Sequence, residues 1–319
     1  MGAFGMTTTQ LYFAHVALAL ILSPLLMGII NRVKAKIGGR KGKPLLQLYY
    51  DIAKLLRKSE VISTSTTWIF QAAPSISLAA TLLAMLLLPL TGVPSPLGFQ
   101  GDFMVAAYLL GMGRFMMSLA ALDTASPFEG MGASREVAFA ALVEPVSFLC
   151  FLCLARSAQL AYPDTYLSLS GMFVGSPLSA WSEGRPELLL IPVVLFLLLL
   201  IENCRIPVDD PDTHLELTMI HEVIILDHSG PNLAFILYAA SLKLWFYSAL
   251  LAGILVPSLT FIMPIWAQML LSILVILIIS VLVGLVESSM ARLRMWRVSP
   301  LICCVVALAG LTLTLSILR

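Results

Sequence analysis

Eight apolar runs, each about 20 residues long, dominate the chain and leave little else to fold. They lie near 10–31, 68–90, 102–122, 136–161, 186–203, 232–256, 265–287 and 298–318. In hydrocarbon the backbone has to satisfy its own hydrogen bonds, so these runs predict an all-α polytopic membrane protein. The charged share, 12% of residues, is about half that of a soluble domain and excludes an ordinary soluble fold. One transmembrane domain over 1–319 is expected, with no appended soluble domain. The first run is followed by positive charge and not by a small-residue cleavage site, so no removable leader is expected.

Basic residues set the orientation. With the N-terminus outside, the inner loops carry nine Lys and Arg between Arg32 and Lys58, then Arg135, Arg205, Arg292, Arg294 and Arg297. Only Arg185 and Arg319 then lie outside, which satisfies the positive-inside rule with both termini on the non-cytoplasmic side.

Two inner segments stand out. Over 44–58, Leu45, Leu48, Tyr49, Ile52, Leu55 and Leu56 recur at helical spacing, opposite Gln47, Asp51, Lys54 and Lys58. That pattern predicts an amphipathic helix in the interface plane. The run before it, with Lys34, Lys36, Arg40, Lys41 and Lys43 among glycines, suits either anionic lipid headgroups or a soluble partner. A loop over 123–135 holds Pro127, Gly130 and Gly132, which predict a compact non-helical turn.

The acidic loop, 202–231, is the other feature. It gathers Glu202, Asp209, Asp210, Asp212, Glu216, Glu222 and Asp227 against one cation, Arg205, although the chain has only 18 acidic residues. Asp210-Pro211 reads as a helix start, and Leu215, Met219, Val223 and Leu226 continue at helical spacing. Asp209, Asp212 and Glu216 then share a face, either a solvated one or a proton-handling one. His214, His221 and His228 are spaced by seven, but the run His221-Glu222-Val223-Ile224-Ile225 lacks the second chelating histidine. Interface histidines that titrate or hydrogen-bond are expected, with His15 a core residue. Cys150 and Cys153 lie in an apolar run without a second pair, so no metal site is expected.

Charges inside the spans are expensive, on the order of 3 kcal/mol each unless paired or hydrated. Arg114, Glu144 and Lys243 are such residues. Glu144 is followed by Pro145, which frees a carbonyl one turn earlier and predicts a polar, buried setting. Arg114 and Lys243 are either structural partners of Glu144 or members of a relay. From the loop (Glu202, Asp209, Asp210, Asp212, Glu216, Glu222, Asp227) through Arg114 and Lys243 to Glu144, the residues fit a proton pathway. No catalytic residue and no metal ligand is assigned.

These motifs resemble the subunit 1 family of respiratory complex I, with counterparts in formate hydrogenlyase and the energy-converting nickel–iron (NiFe) hydrogenases. Residues 39–61, with Arg40, Gln47, Asp51 and Lys54, are similar to the family's first inner loop. Residues 122–128 and 132–136, with Asp123, Arg135 and Glu136, are similar to the hydrogenase branch, and the run Glu202-x-x-Arg205-x-Pro207-x-Asp209 to the acidic loop. Pro207-Val208-Asp209 and Asp227-His228-Ser229-Gly230 stand where the complex I branch has Pro-Phe-Asp and Glu-Tyr-Ser-Gly, which favours a hydrogenase-type complex.

The resemblance implies a non-redox anchor in a prokaryotic inner membrane that binds no cofactor itself. Arg40, Gln47, Asp51, Lys54, Asp123, Arg135, Glu136 and Arg205 would seat an iron–sulfur small subunit and a NiFe-type large subunit. The carboxylates would couple their electron transfer to proton or ion movement through antiporter-like neighbours. The alternatives are a quinone-site subunit of a complex I-type dehydrogenase and a stand-alone transporter, the latter without the internal repeat that such folds show.

Overall fold

The computed structural model describes residues 8–89, 93–161, 167–173, 184, 187–210, 219–256 and 264–318. Eleven helices appear among them: α1 (Thr8–Ile37), α2 (Gln47–Leu55), α3 (Trp68–Leu87), α4 (Asp102–Asp123), α5 (Pro127–Ala161), α6 (Leu169–Phe173), α7 (Glu187–Glu202), α8 (His221–Ile224), α9 (Gly230–Leu255), α10 (Ile265–Ser289) and α11 (Met295–Ile317). Seven of them, α1, α3, α4, α5, α9, α10 and α11, are long and apolar enough to cross a membrane. The remaining expected span, 186–203, is α7, with 16 residues or about 24 Å of helix.

Helix α9 is the hub. It packs against α1, α2, α3, α7 and α10, and its apolar stretch is more buried than that of any other described spanning helix. Trp245 and Leu242 on it are fully enclosed. By contrast α10 and α11 keep long apolar faces outward, such as Leu270, Leu274, Ile278 and Leu285, as lipid-facing helices do. Helices α3 and α4 approach closely through small residues, Ala73, Ala80 and Ala84 against Ala106, Gly113 and Ala120. Where burial from water contributes no drive, such close van der Waals contact is what joins helices.

Proline positions are repaired by neighbours. Pro24 lies inside α1 and cannot donate to the Leu20 carbonyl one turn earlier. The Tyr238 hydroxyl of α9 donates to that carbonyl at 2.9 Å, and the adjacent Ser241 hydroxyl donates to Ser23 Oγ at 3.4 Å. The proline thus stitches α1 to the hub. The amphipathic segment forms α2, with Gln47 donating to Asp51 at 2.8 Å and Tyr49 donating to the Ile21 carbonyl of α1.

Two local expectations are corrected. The segment after Asp123 is not a compact loop: α5 starts at Pro127 and runs through Gly130, Gly132 and Pro145. Proline is at home in a first helical turn, because its missing N–H would be unpaired there anyway. Gly132 is needed for approach, since a Cβ there would stand 2.2 Å from the Val223 side chain of α8. In the acidic loop, the described helix is confined to His221–Ile224; Asp212, His214, Leu215 and Glu216 lie outside the described residues.

Gly28 of α1 faces the turn entering α2, where an added Cβ would meet the Leu45 carbonyl oxygen at 1.9 Å. Backbone cannot yield as a flexible side chain does. Gly28→Ala is therefore expected to displace residues 44–46 and lower stability by about 1–3 kcal/mol, read as thermal stability of the detergent-solubilised complex.

Candidate functional site

Where α7 ends, its carboxylate meets cations from two other helices. Glu202 is almost completely buried, and Arg114 Nη1 of α4 lies 2.9 Å from its Oε1 while Lys243 Nζ of α9 lies 2.9 Å from its Oε2. The second guanidinium nitrogen of Arg114, Nη2, stands 3.6 Å from Glu144 Oε1 on α5. Arg114 therefore bridges two carboxylates on different helices. Each charge would be prohibitive alone in the bundle, and together they neutralise one another.

A cavity of about 240 Å³ opens beside this cluster, between α2 and the start of the acidic loop. Its charged lining consists of Lys43, Asp51, Arg114, Glu136, Glu202, Arg205, Asp209, Glu222 and Lys243. Five carboxyl groups and four basic side chains around one space can hold ordered water and exchange protons through it. Its apolar wall comes from Met27, Leu48, Ile225, Ile236 and Leu237.

The rim is held by further ion pairs. Asp209 Oδ1 meets Arg292 Nη2 at 3.0 Å, and its Oδ2 accepts the backbone N–H groups of Ile220 and His221 at 3.0 and 3.1 Å. Asp209 thereby caps α8 from 11 residues away. Glu287 of α10 sits between Arg205, at 3.3 Å, and Lys34 of α1, at 3.1 Å. Arg135 donates to the Met219 carbonyl at 2.8 Å. Glu129, fully buried, accepts the Asp227 N–H at 3.0 Å, and Ser229 and Val61 bond each other through backbone and hydroxyl.

The residues singled out in the sequence fall into several places. Glu202, Asp209, Glu222, Lys243 and Arg114 line the cavity, and so do Gln47, Asp51, Glu136 and Arg205 from the docking set. Arg40 and Lys54 are exposed at the loop end. Asp123 accepts the backbone N–H and hydroxyl of Thr67 at 2.6 and 2.9 Å, fastening the start of α3. Asp210 is partly buried beside Asp209 and Asp227 is exposed, and neither lines the cavity; Asp212 and Glu216 are outside the described residues. Glu144 departs from the buried setting expected of it: its side chain is 47% exposed and looks outward from α4 and α5. The Pro145 break leaves α5 continuous, and the helix azimuth turns the carboxylate to the rim of the bundle.

Lys34, Lys43, Glu287 and Arg292 complete the network without having been assigned to it. Their only signal in the sequence is a charge at the membrane boundary. Cys204 also lines the cavity, 4.0 Å from Glu136 Oε2. Burial, and after it the neighbouring carboxylates, push its thiol well above the ordinary cysteine range, so it stays protonated and inert.

Of the three histidines in the acidic loop, His221 and His228 are described, and their settings differ. His221 lines the cavity, whereas His228 is buried and stacked on Phe70, with ring centroids 4.1 Å apart, and neither ring nitrogen has a hydrogen-bond partner. The expectation of a titrating or hydrogen-bonded His228 is therefore corrected.

A family model described as NADH dehydrogenase matches residues 9–317. The chain belongs to this family, the complex I subunit 1 type. Hydrogenase-4 component C of Escherichia coli (strain K12) is 31% identical over 288 residues, which cover 88% of this chain and 87% of the relative. Formate hydrogenlyase subunit 4 of the same organism is 33% identical over 286 residues, covering 86% and 87%. A chain of the membrane-bound sulfane sulfur reductase, an archaeal respiratory membrane complex, shares the fold with a TM-score of 0.77 at 18% identity, over 96% of this chain and 99% of that one. The subunit 1-type chain is a multi-pass inner-membrane protein whose curated relatives are hydrogenase components, in line with its Pro207-Val208-Asp209 and Asp227-His228-Ser229-Gly230 motifs.

Burial lowers the pKa of His228 from 6.5 to about 4. A depressed folded value means that the stability gained from the neutral ring is complete above pH 6.5 and is lost as pH falls through 4. His228→Leu is expected to flatten the acid limb of thermal stability between pH 6.5 and 4, where the wild type loses about 3 kcal/mol. Melting curves of the purified complex across that range check it.

Proposed function

We propose that this chain is the non-redox membrane anchor and coupling subunit of a NiFe-hydrogenase-type complex. In this reading the end bearing the basic loops faces the cytoplasm, with both termini outside. The exposed residues Arg40 and Lys54 help to seat an iron–sulfur small subunit and a NiFe-bearing large subunit, which carry all electron transfer. The chain itself binds no redox group. Its part is to turn charge changes in the docked arm into proton movement, passed on to antiporter-like subunits in the membrane.

One observation carries this reading: an uninterrupted line of ionisable groups leads from the cavity through Lys243, Glu202 and Arg114 to the outward-facing Glu144. A passive pedestal has no use for it. A cluster of two acids and two bases within a helix bundle costs desolvation that apolar side chains avoid. Water reaches Glu202 from the cavity side, and Glu144 offers the proton at the surface where a neighbouring subunit packs. Arg114 lies against both carboxyl groups and can balance the charge of either, since a guanidinium does not give up its proton.

A second reading, a lipid-quinone site, draws support from the apolar wall of the same cavity, Met27, Leu48, Ile225, Ile236 and Leu237. Quinone reduction by the purified complex, sensitive to quinone-site inhibitors, selects it.

Glu202→Gln and Glu144→Gln are expected to assemble, Glu202→Gln with a lowered melting temperature because Arg114 and Lys243 lose their counter-charge, to retain dye-linked redox turnover, and to reduce ion translocation at least tenfold in proteoliposomes. Wild-type translocation in both variants removes the two residues from the path. Reversing Arg40 and Lys54 to Glu is expected to release the soluble arm, so that the small and large subunits no longer co-purify in mild detergent.

A further inference from the structure

Between Glu202 and Glu144 the line of charges passes through Arg114, and that raises a chemical difficulty. A guanidinium stays protonated in proteins, so it can hold two carboxylates but cannot relay a proton between them. A different group has to provide the hydroxyl or water step.

We infer that Tyr247 of α9 is that group: its phenol carries the proton from Glu202 towards Glu144. The inference rests on the coupling role proposed above and adds a residue that the charge pattern of the sequence does not point to. Tyr247 is 6% exposed, and it shares with Glu202 the lining of one small cavity. Its ring stands edge-on to Phe246, with centroids 5.6 Å apart, so the hydroxyl is carried by a rigid support. That cavity, of about 20 Å³, is lined by Tyr247, Glu202, Arg114, Glu144, Ser147 and Tyr108 among others. A space of that size admits one water molecule, and its polar lining supplies the two to four partners that such a water needs. Arg114 and Glu202 line both cavities, so the two are neighbours.

The transfer is balanced by a concerted shift. Protonated Glu202 gives its proton to the phenol oxygen as the phenol gives its own, through the water or directly, to the Glu144 carboxylate. Tyr247 ends as it began, a neutral phenol. The negative charge moves from Glu144 to Glu202. Arg114, 3.6 Å from one and 2.9 Å from the other, remains paired with whichever carboxylate is charged. Lys243, 2.9 Å from Glu202 and lining the large cavity, is placed to reload Glu202 from that side. The guanidinium thus supplies electrostatic compensation, and the phenol supplies the path.

The test uses the assembled complex in proteoliposomes, with Glu202→Gln as reference. Tyr247→Phe keeps the ring and removes only the oxygen. It is expected to assemble, to retain dye-linked redox turnover, and to lose translocation at least tenfold, as Glu202→Gln does. Wild-type translocation in Tyr247→Phe, with Glu202→Gln defective, overturns the assignment of Tyr247 and leaves the coupling role standing. Wild-type translocation in Glu202→Gln overturns both. Replacing Tyr247 by a difluorotyrosine, a more acidic phenol of nearly the same shape, gives a readout that a purely structural role does not move. The alkaline limb of translocation against pH is expected to shift to lower pH, and an unchanged profile overturns the relay.

Discussion

The packing of a buried carboxylate between two cations from different helices sets the rest of the molecule in place. Glu202 is the last residue of α7, and it is reached by Arg114 from α4 and Lys243 from α9. None of the three tolerates the bundle interior alone, because desolvation of a lone charge exceeds what the fold can offset. Their mutual pairing therefore fixes the depth and rotation of three helices. The same cluster has polar groups in need of solvation, and the 240 Å³ cavity beside it has room for water.

Around this centre the loop end is fastened by contacts that span long stretches of chain. Asp209 joins Arg292 and caps α8, Glu129 holds the backbone of Asp227, and Glu287 ties Arg205 to Lys34. The acidic residues of the loop are thus divided by role. Some are tethers that shape the cavity, and others line it or remain exposed. A reading of the loop as one acidic face overlooks that division, since carboxylates with backbone N–H partners are structural anchors first.

How much of this was readable in advance depends on the kind of signal. Spanning helices announce themselves by length and apolarity, and the observed ends of α3, α4, α9, α10 and α11 fall close to the runs in the sequence, whereas α1 continues past residue 31 to Ile37. The start of α5 was not readable, because Gly130 and Gly132 look like turn residues. For Gly132 the reason, room for α8, exists only when residues 132 and 223 meet, whereas a Cβ at Gly130 would meet nothing within 4 Å. The family was legible because its motifs are local runs. The division of labour within the motifs was not: Gln47, Asp51, Glu136 and Arg205 have the chemistry of docking residues, yet they point into the cavity.

By itself the sequence determined that the chain is a bundle of membrane helices, which residues would be charged inside it, and which family it belongs to. These follow from one-dimensional quantities: hydropathy over a span, the position of each charge along it, and short local motif runs. Only the tertiary structure decided which charges meet and which way they face. A helix apolar on all sides carries no stripe to show which azimuth is interior, so the outward turn of Glu144 and the inward turn of Tyr247 come from packing against α4, α7 and α9. Pairings such as Glu202 with Lys243 join residues 41 positions apart, and nothing local encodes that distance.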